Sequence, residues 1–80
     1  MNIQGVAQYV VNFRYWKSNG KLVQLQAESN DIDRVNARVT GIIQDCRSRG
    51  LDYLAEIFPR LSDPIVYGSR RGLAHRRELL

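Results

Sequence analysis

Nucleophilic catalysis needs a nucleophile and a base within hydrogen-bond reach, with a third group holding the base. In this 80-residue chain Cys46 and His75 are the one thiol and imidazole pair. Cys46 falls on an apolar helical stripe, where a thiol behaves as a small hydrophobe, and His75 stands among arginines. One cysteine with one histidine cannot complete a tetrahedral zinc site, and a lone cysteine has no partner for an intramolecular disulfide. The carboxylates have ordinary explanations. Asp31 and Asp33 suit a helix start, Glu28, Asp52 and Glu56 are spread over polar positions, and Asp45 stands four residues before Arg49 as a surface pair. Acid–base dyads, phosphate-binding glycine loops and paired-histidine metal motifs are not read in the sequence. The expectation is a chain that is not an enzyme, with no catalytic residues, metal or cofactor.

Binding chemistry is better represented. Trp16 and Leu22 stand among Arg14, Lys17 and Lys21, a large aromatic beside cations. Such residues anchor protein interfaces, and they also stack on bases while the cations meet phosphates. The structural alternative makes Trp16 and Leu22 a cross-strand pair, or has them covered by residues 51–67. A second set, Arg70, Arg71, Arg76 and Arg77, flanks and follows Gly72, and clustered arginine suits phosphate. Arg34 and Arg38, one helical turn apart, can extend that basic surface, although a solvated helix face or chain end explains these six as simply. The net charge is +4, with a pI near 9.7. Residues 64–80 hold four arginines against Glu78, which is +3, so everything before them nets only +1. The basicity belongs mostly to the tail.

The elements that must position these residues follow from periodicity. Tyr9, Val11, Phe13 and Tyr15 alternate with polar positions, as do Val23, Leu25 and Ala27, and Ser18-Asn19-Gly20 lies between the two runs. This predicts a hairpin. A two-residue loop at Asn19-Gly20 would set Tyr15 opposite Gln24 and mix the faces. A three-residue loop with Gly20 left-handed sets Tyr15 opposite Val23, Phe13 opposite Leu25 and Val11 opposite Ala27, and is the expected register. It leaves Trp16 and Leu22 as an outward apolar pair.

Ser29 or Asn30 can cap a helix over about 31–49, with Ile32, Val35, Val39, Ile42, Ile43 and Cys46 as its apolar stripe and Gly50 after its end. Leu51, Leu54, Ile57, Phe58 and Leu61 are spaced as a short second helix ended by Pro59. Beyond the break at Asp63-Pro64, the triplet Ile65-Val66-Tyr67 can add a third strand. Leu73–Leu80 can form a helical turn or two, or remain mobile.

The fold class expected is therefore α+β, an antiparallel β-hairpin packed on one amphipathic helix (ββα), followed by a short helix and a third strand. Residues 1–67 form one domain and 68–80 a basic, flexible tail. A chain this small buries only about 60–65% of its unfolded surface, so its core is thin and oligomerisation is one way to reinforce it. An unpaired edge strand makes a homodimer an option. The run Val6–Tyr15 is broken by Gln8, Asn12 and Arg14 and reads neither as a signal peptide nor as a membrane span, so a soluble cytoplasmic protein without membrane contact is expected. Two functions follow: a noncatalytic protein-binding module, such as a small inhibitor or adaptor that occludes a larger protein, through Arg14, Trp16, Lys17, Lys21 and Leu22; or a nucleic-acid-binding accessory or regulatory protein through the tail and the hairpin patch. The near-neutral folded part favours the first.

Overall fold

The structure is a computed structural model that describes residues 7–80; residues 1–6, which open the expected domain and include Val6, lie outside the described residues. It is an α+β fold of β1 (Tyr9–Trp16), β2 (Leu22–Ser29), α1 (Ile32–Ser48), β3 (Tyr53–Pro59), β4 (Ile65–Gly68) and α2 (Arg70–Leu79). The strands form one antiparallel sheet in the order β2-β1-β3-β4.

The hairpin has the expected register, with Tyr15 opposite Val23, Phe13 opposite Leu25 and Val11 opposite Ala27. Its loop is three residues long. The Lys17 amide donates to the Lys21 carbonyl at 2.8 Å, the Gly20 amide donates to Lys17 O at 2.8 Å, and Gly20 has φ 85°. Only a residue without a Cβ takes that backbone conformation cheaply. The register gathers Val11, Phe13, Tyr15, Val23, Leu25 and Ala27 on one face, where α1 lies.

α1 ends within a residue or so of expectation at both termini. Its cap is Asp31, whose side chain accepts from the Asp33 and Arg34 amides, rather than Ser29 or Asn30. Those two hold the approach instead: Ser29 Oγ accepts from the Asp31 amide at 3.1 Å, and Asn30 Oδ1 from the Gln8 amide at 2.9 Å. At the other end the Gly50 amide donates to Arg47 O and the Leu51 amide to Cys46 O, with Gly50 at φ 69°. This paired closure satisfies two of the carbonyls a helix leaves open. Val35, Val39 and Cys46 are buried against Val11, Phe13, Tyr53, Ala55 and Ile57.

Residues 51–61 are not the expected second helix. Tyr53–Pro59 is β3, paired with both β1 and β4, and its residues Tyr53 to Ile57 are all buried. The three-and-four spacing arises inside a nearly continuous apolar run, and a strand covered on both faces has no alternation to betray it. Ile57 meets α1 while Leu54 meets α2, and both have 0% exposure. The triplet at 65–67 does form a strand, β4, which joins the sheet beside β3.

The basic tail takes the helical option expected for Leu73–Leu80, and the helix begins earlier, at Arg70. Ser69 caps α2 by accepting from the Gly72 amide at 3.3 Å, and its hydroxyl and amide also bond the backbone of Tyr53. Gly72 lies against that same backbone: a Cβ there would stand 1.8 Å from Tyr53 O. α2 therefore seats on the face of the sheet opposite α1. No helix among the described residues is long and apolar enough to cross a membrane.

Candidate protein-binding edge and groove

The five residues singled out on the hairpin do not form one exposed patch. Trp16 is only 7% exposed, because α2 covers it: the His75 ring meets it edge-on at 5.2 Å and the Arg71 guanidinium lies 5.0 Å from its ring centre. Both of these ring contacts come from α2. Arg14 reaches Glu56 at 4.0 Å, and Glu56 also accepts from Arg76 Nε at 3.0 Å. Glu56 is 9% exposed, so two guanidiniums compensate a carboxylate that would otherwise be costly to bury. Lys17 and Lys21 are exposed beside the loop, and Leu22 is half-buried.

The arginines are divided in the same way. Arg71 and Arg76 are engaged with Trp16 and Glu56, while Arg70 and Arg77 stay exposed on α2. Arg34 and Arg38 are exposed on α1, across the sheet from α2, so the six do not form one basic surface. Cys46 and His75 are separated too, the thiol in the α1 core and the imidazole on Trp16. Burial, with a smaller contribution from Asp45, pushes the Cys46 thiol above its ordinary pKa, the opposite of what an activated nucleophile needs.

A groove lies elsewhere, between the hairpin and α1. α1 sits over β1 and β3 and leaves the inner face of β2 partly bare: Leu25 is 48% exposed and Ala27 is exposed. Between β2 and α1 runs a groove of about 440 Å³ floored by Val11, Phe13, Leu25, Val35, Val39 and Ile42. Arg34 and Arg38, one turn apart on α1, stand at its side and take no part in the ion pairs of the described residues. The short side chains of Ala27, Val35 and Val39 leave this wedge unfilled.

β2 is also an edge of the sheet. Just past β1 the Lys17 amide turns to the hairpin partner, whereas Trp16 N donates to Asp52 O and Arg60 N to Gln8 O, on the β3 side. Antiparallel bonding alternates, so Val23, Leu25 and Ala27 turn their backbone groups to β1. Leu22, Gln24, Gln26 and Glu28 turn theirs to the open side. Monomeric proteins blunt such edges with proline, bulges, inward charges or short strands. β2 spans eight residues with no proline or glycine, and Glu28 is its one charged side chain. β4, the other edge, has only four residues and follows Pro64.

Sequence reasoning raised an unpaired edge as a binding option but did not locate it, because strand order depends on where β3 pairs. The one local signal is the Gln24–Leu25–Gln26 alternation without a guarding charge. No family model, curated protein or solved structure matches this chain.

Proposed function

We propose that this chain is a noncatalytic, cytoplasmic protein-binding module that takes an extended segment of another protein as a fifth strand on β2, as a small inhibitor or adaptor occluding a larger partner. The observation that carries the reading is the unguarded eight-residue edge beside an unfilled apolar groove. Strand addition uses both: main-chain hydrogen bonds supply affinity, and alternate side chains entering a pocket supply selectivity. Burying the exposed part of Leu25 adds about 1 kcal/mol, and each well-made ladder bond adds a net ~0.5–1.5 kcal/mol. The nucleic-acid reading has weaker support, since Arg71 and Arg76 are spent on internal contacts.

The test is capture of partners by the full chain, with and without nuclease and at low and high salt, in parallel with Gln26→Pro, followed by amide mapping of the recovered complex. A protein that survives nuclease, perturbs the β2 amides and is lost with Gln26→Pro supports the module. Recovery of nucleic acid alone, lost at high salt and on Arg70→Gln with Arg77→Gln, overturns it.

A further inference from the structure

We infer that the segment captured by β2 is acidic, carrying carboxylates two residues apart that meet Arg34 and Arg38, with an apolar residue next on the same face over Leu25; this rests on the strand-capture reading above. The spacing is what joins the two elements. Arg34 and Arg38 are separated by one helical turn, about 6 Å of rise, and residues i and i+2 of a strand lie about 6.8 Å apart on the same face. Consecutive inward side chains of an added strand can therefore address both arginines.

Direction follows from topology. Two residues separate the end of β2 from the start of α1, so Arg34 and Arg38 lie toward the Ser29 end of β2, while Val39 and Ile42 lie further back, toward Leu25. The carboxylates belong at the Ala27–Ser29 end and the apolar residue nearer Leu25. Neither arginine is held by an ion pair among the described residues, so both guanidiniums are free to meet carboxylates of a captured segment.

A second copy of this chain fits the same edge poorly. The inward face of its β2 would bring Lys21, Val23, Leu25 and Ala27, with no carboxylate for Arg34 or Arg38. Glu28 alternates with Ala27 onto the other face of the strand.

The experiment is a selection from a display library of random decapeptides on the immobilised full chain at low salt, followed by synthesis of the enriched peptides. Expected are sequences with Asp or Glu at i and i+2 and an apolar residue at i+4 or i−2. Their binding falls about five- to tenfold with Arg34→Gln and Arg38→Gln together, the scale of two exposed ion pairs, and loses most of its salt dependence. Both positions are exposed, so the fold should persist, and a circular dichroism spectrum checks this. Neutral or basic enriched peptides that still require an intact edge at Gln26 overturn the acidic assignment and leave strand capture standing. Peptides indifferent to Gln26→Pro overturn both, and failure to enrich, or a dimer in sedimentation with protected β2 amides, overturns the acidic assignment.

Discussion

Replacing Gly72 by alanine puts a methyl group where the sheet already is. The added carbon would stand 1.8 Å from Tyr53 O and 2.7 Å from Tyr53 C, both backbone atoms. Side-chain rotation cannot relieve a contact with backbone, so α2 must lift by more than an ångström. Lifting it loosens three contacts at once: the edge-on His75–Trp16 pair, the Arg71 guanidinium on Trp16, and the Arg76–Glu56 hydrogen bond. These contribute about 1, ~0.5–1 and ~1.5–2 kcal/mol respectively, the last discounted because Arg76 is partly in water. Alanine recovers about 1 kcal/mol of helix propensity. The net loss is then about 2–3 kcal/mol, or roughly 10–20 °C in Tm for a domain of this size. Trp16 is the one tryptophan in the chain, so its emission reports on α2 directly. Urea denaturation followed by that emission should show a lower midpoint and a red-shifted native spectrum. A variant as stable as the parent, with unchanged native emission, would refute the seating of α2 on Tyr53.

Leu25→Pro should cost about 3 kcal/mol or more because it removes a ladder donor to β1, whereas Gln26→Pro, one residue along, should cost about 1 kcal/mol or less; equal losses in parallel urea titrations would contradict the edge orientation. Leu54→Ala, at a fully buried site between β3 and α2, should lower stability by about 2–5 kcal/mol in the same assay, and a loss below about 1 kcal/mol would mean that this face is not tightly filled. Burial raises the Cys46 pKa, so folded protein keeps the thiol proton that unfolded protein loses. That contribution to stability is complete below the ordinary thiol pKa of about 8.5 and is lost as pH rises through the raised folded value. Unfolding free energy should therefore decline on the alkaline side, and Cys46→Ala should flatten that decline; an unchanged slope would place the thiol in contact with water.

What the sequence makes legible is local. The hairpin register follows from keeping Val11, Phe13, Tyr15, Val23, Leu25 and Ala27 on one face, and a slip of one residue would put Gln24 and Gln26 into the core. The ends of α1 are legible to within a residue because Asp33 and Gly50 suit a first turn and a close by backbone geometry rather than by distant contacts, although the cap is Asp31 and not Ser29 or Asn30. The helix expected at 51–61 fails for a reason of long range: only the arrival of α2 buries the second face of β3, and that arrival depends on Gly72 against Tyr53. Trp16 is misplaced by the same step. Its outward position in the hairpin is read correctly, but exposure does not follow once a helix from the far end of the chain lies over it.

The two helices therefore divide the sheet unequally, and the division sets where a partner can act. α2 is short and basic, and its inward groups, Gly72, His75 and Arg76, are matched to Tyr53, Trp16 and Glu56. These matched contacts fix the helix over β3 and β4. α1 has seventeen residues but buries only Val35, Val39 and Cys46 among them, centred on β1 and β3. A sheet of four strands is wider than one helix, so an outer strand must be left uncovered on the α1 side. At β4 the shortfall is limited by a strand of four residues. At β2 it extends over a full eight, with backbone groups, Leu25 and two arginines facing the same opening. A variant that fills the wedge without touching the edge separates the contributions. Ala27→Leu extends the apolar floor into the groove, leaves the backbone of Gln24 and Gln26 free, and should raise stability by up to about 1 kcal/mol while weakening any segment whose side chains enter there. Denaturation and peptide titration on one protein measure both effects. Tighter folding with undiminished binding would show that the captured segment uses the main chain of β2 and not the groove beside it.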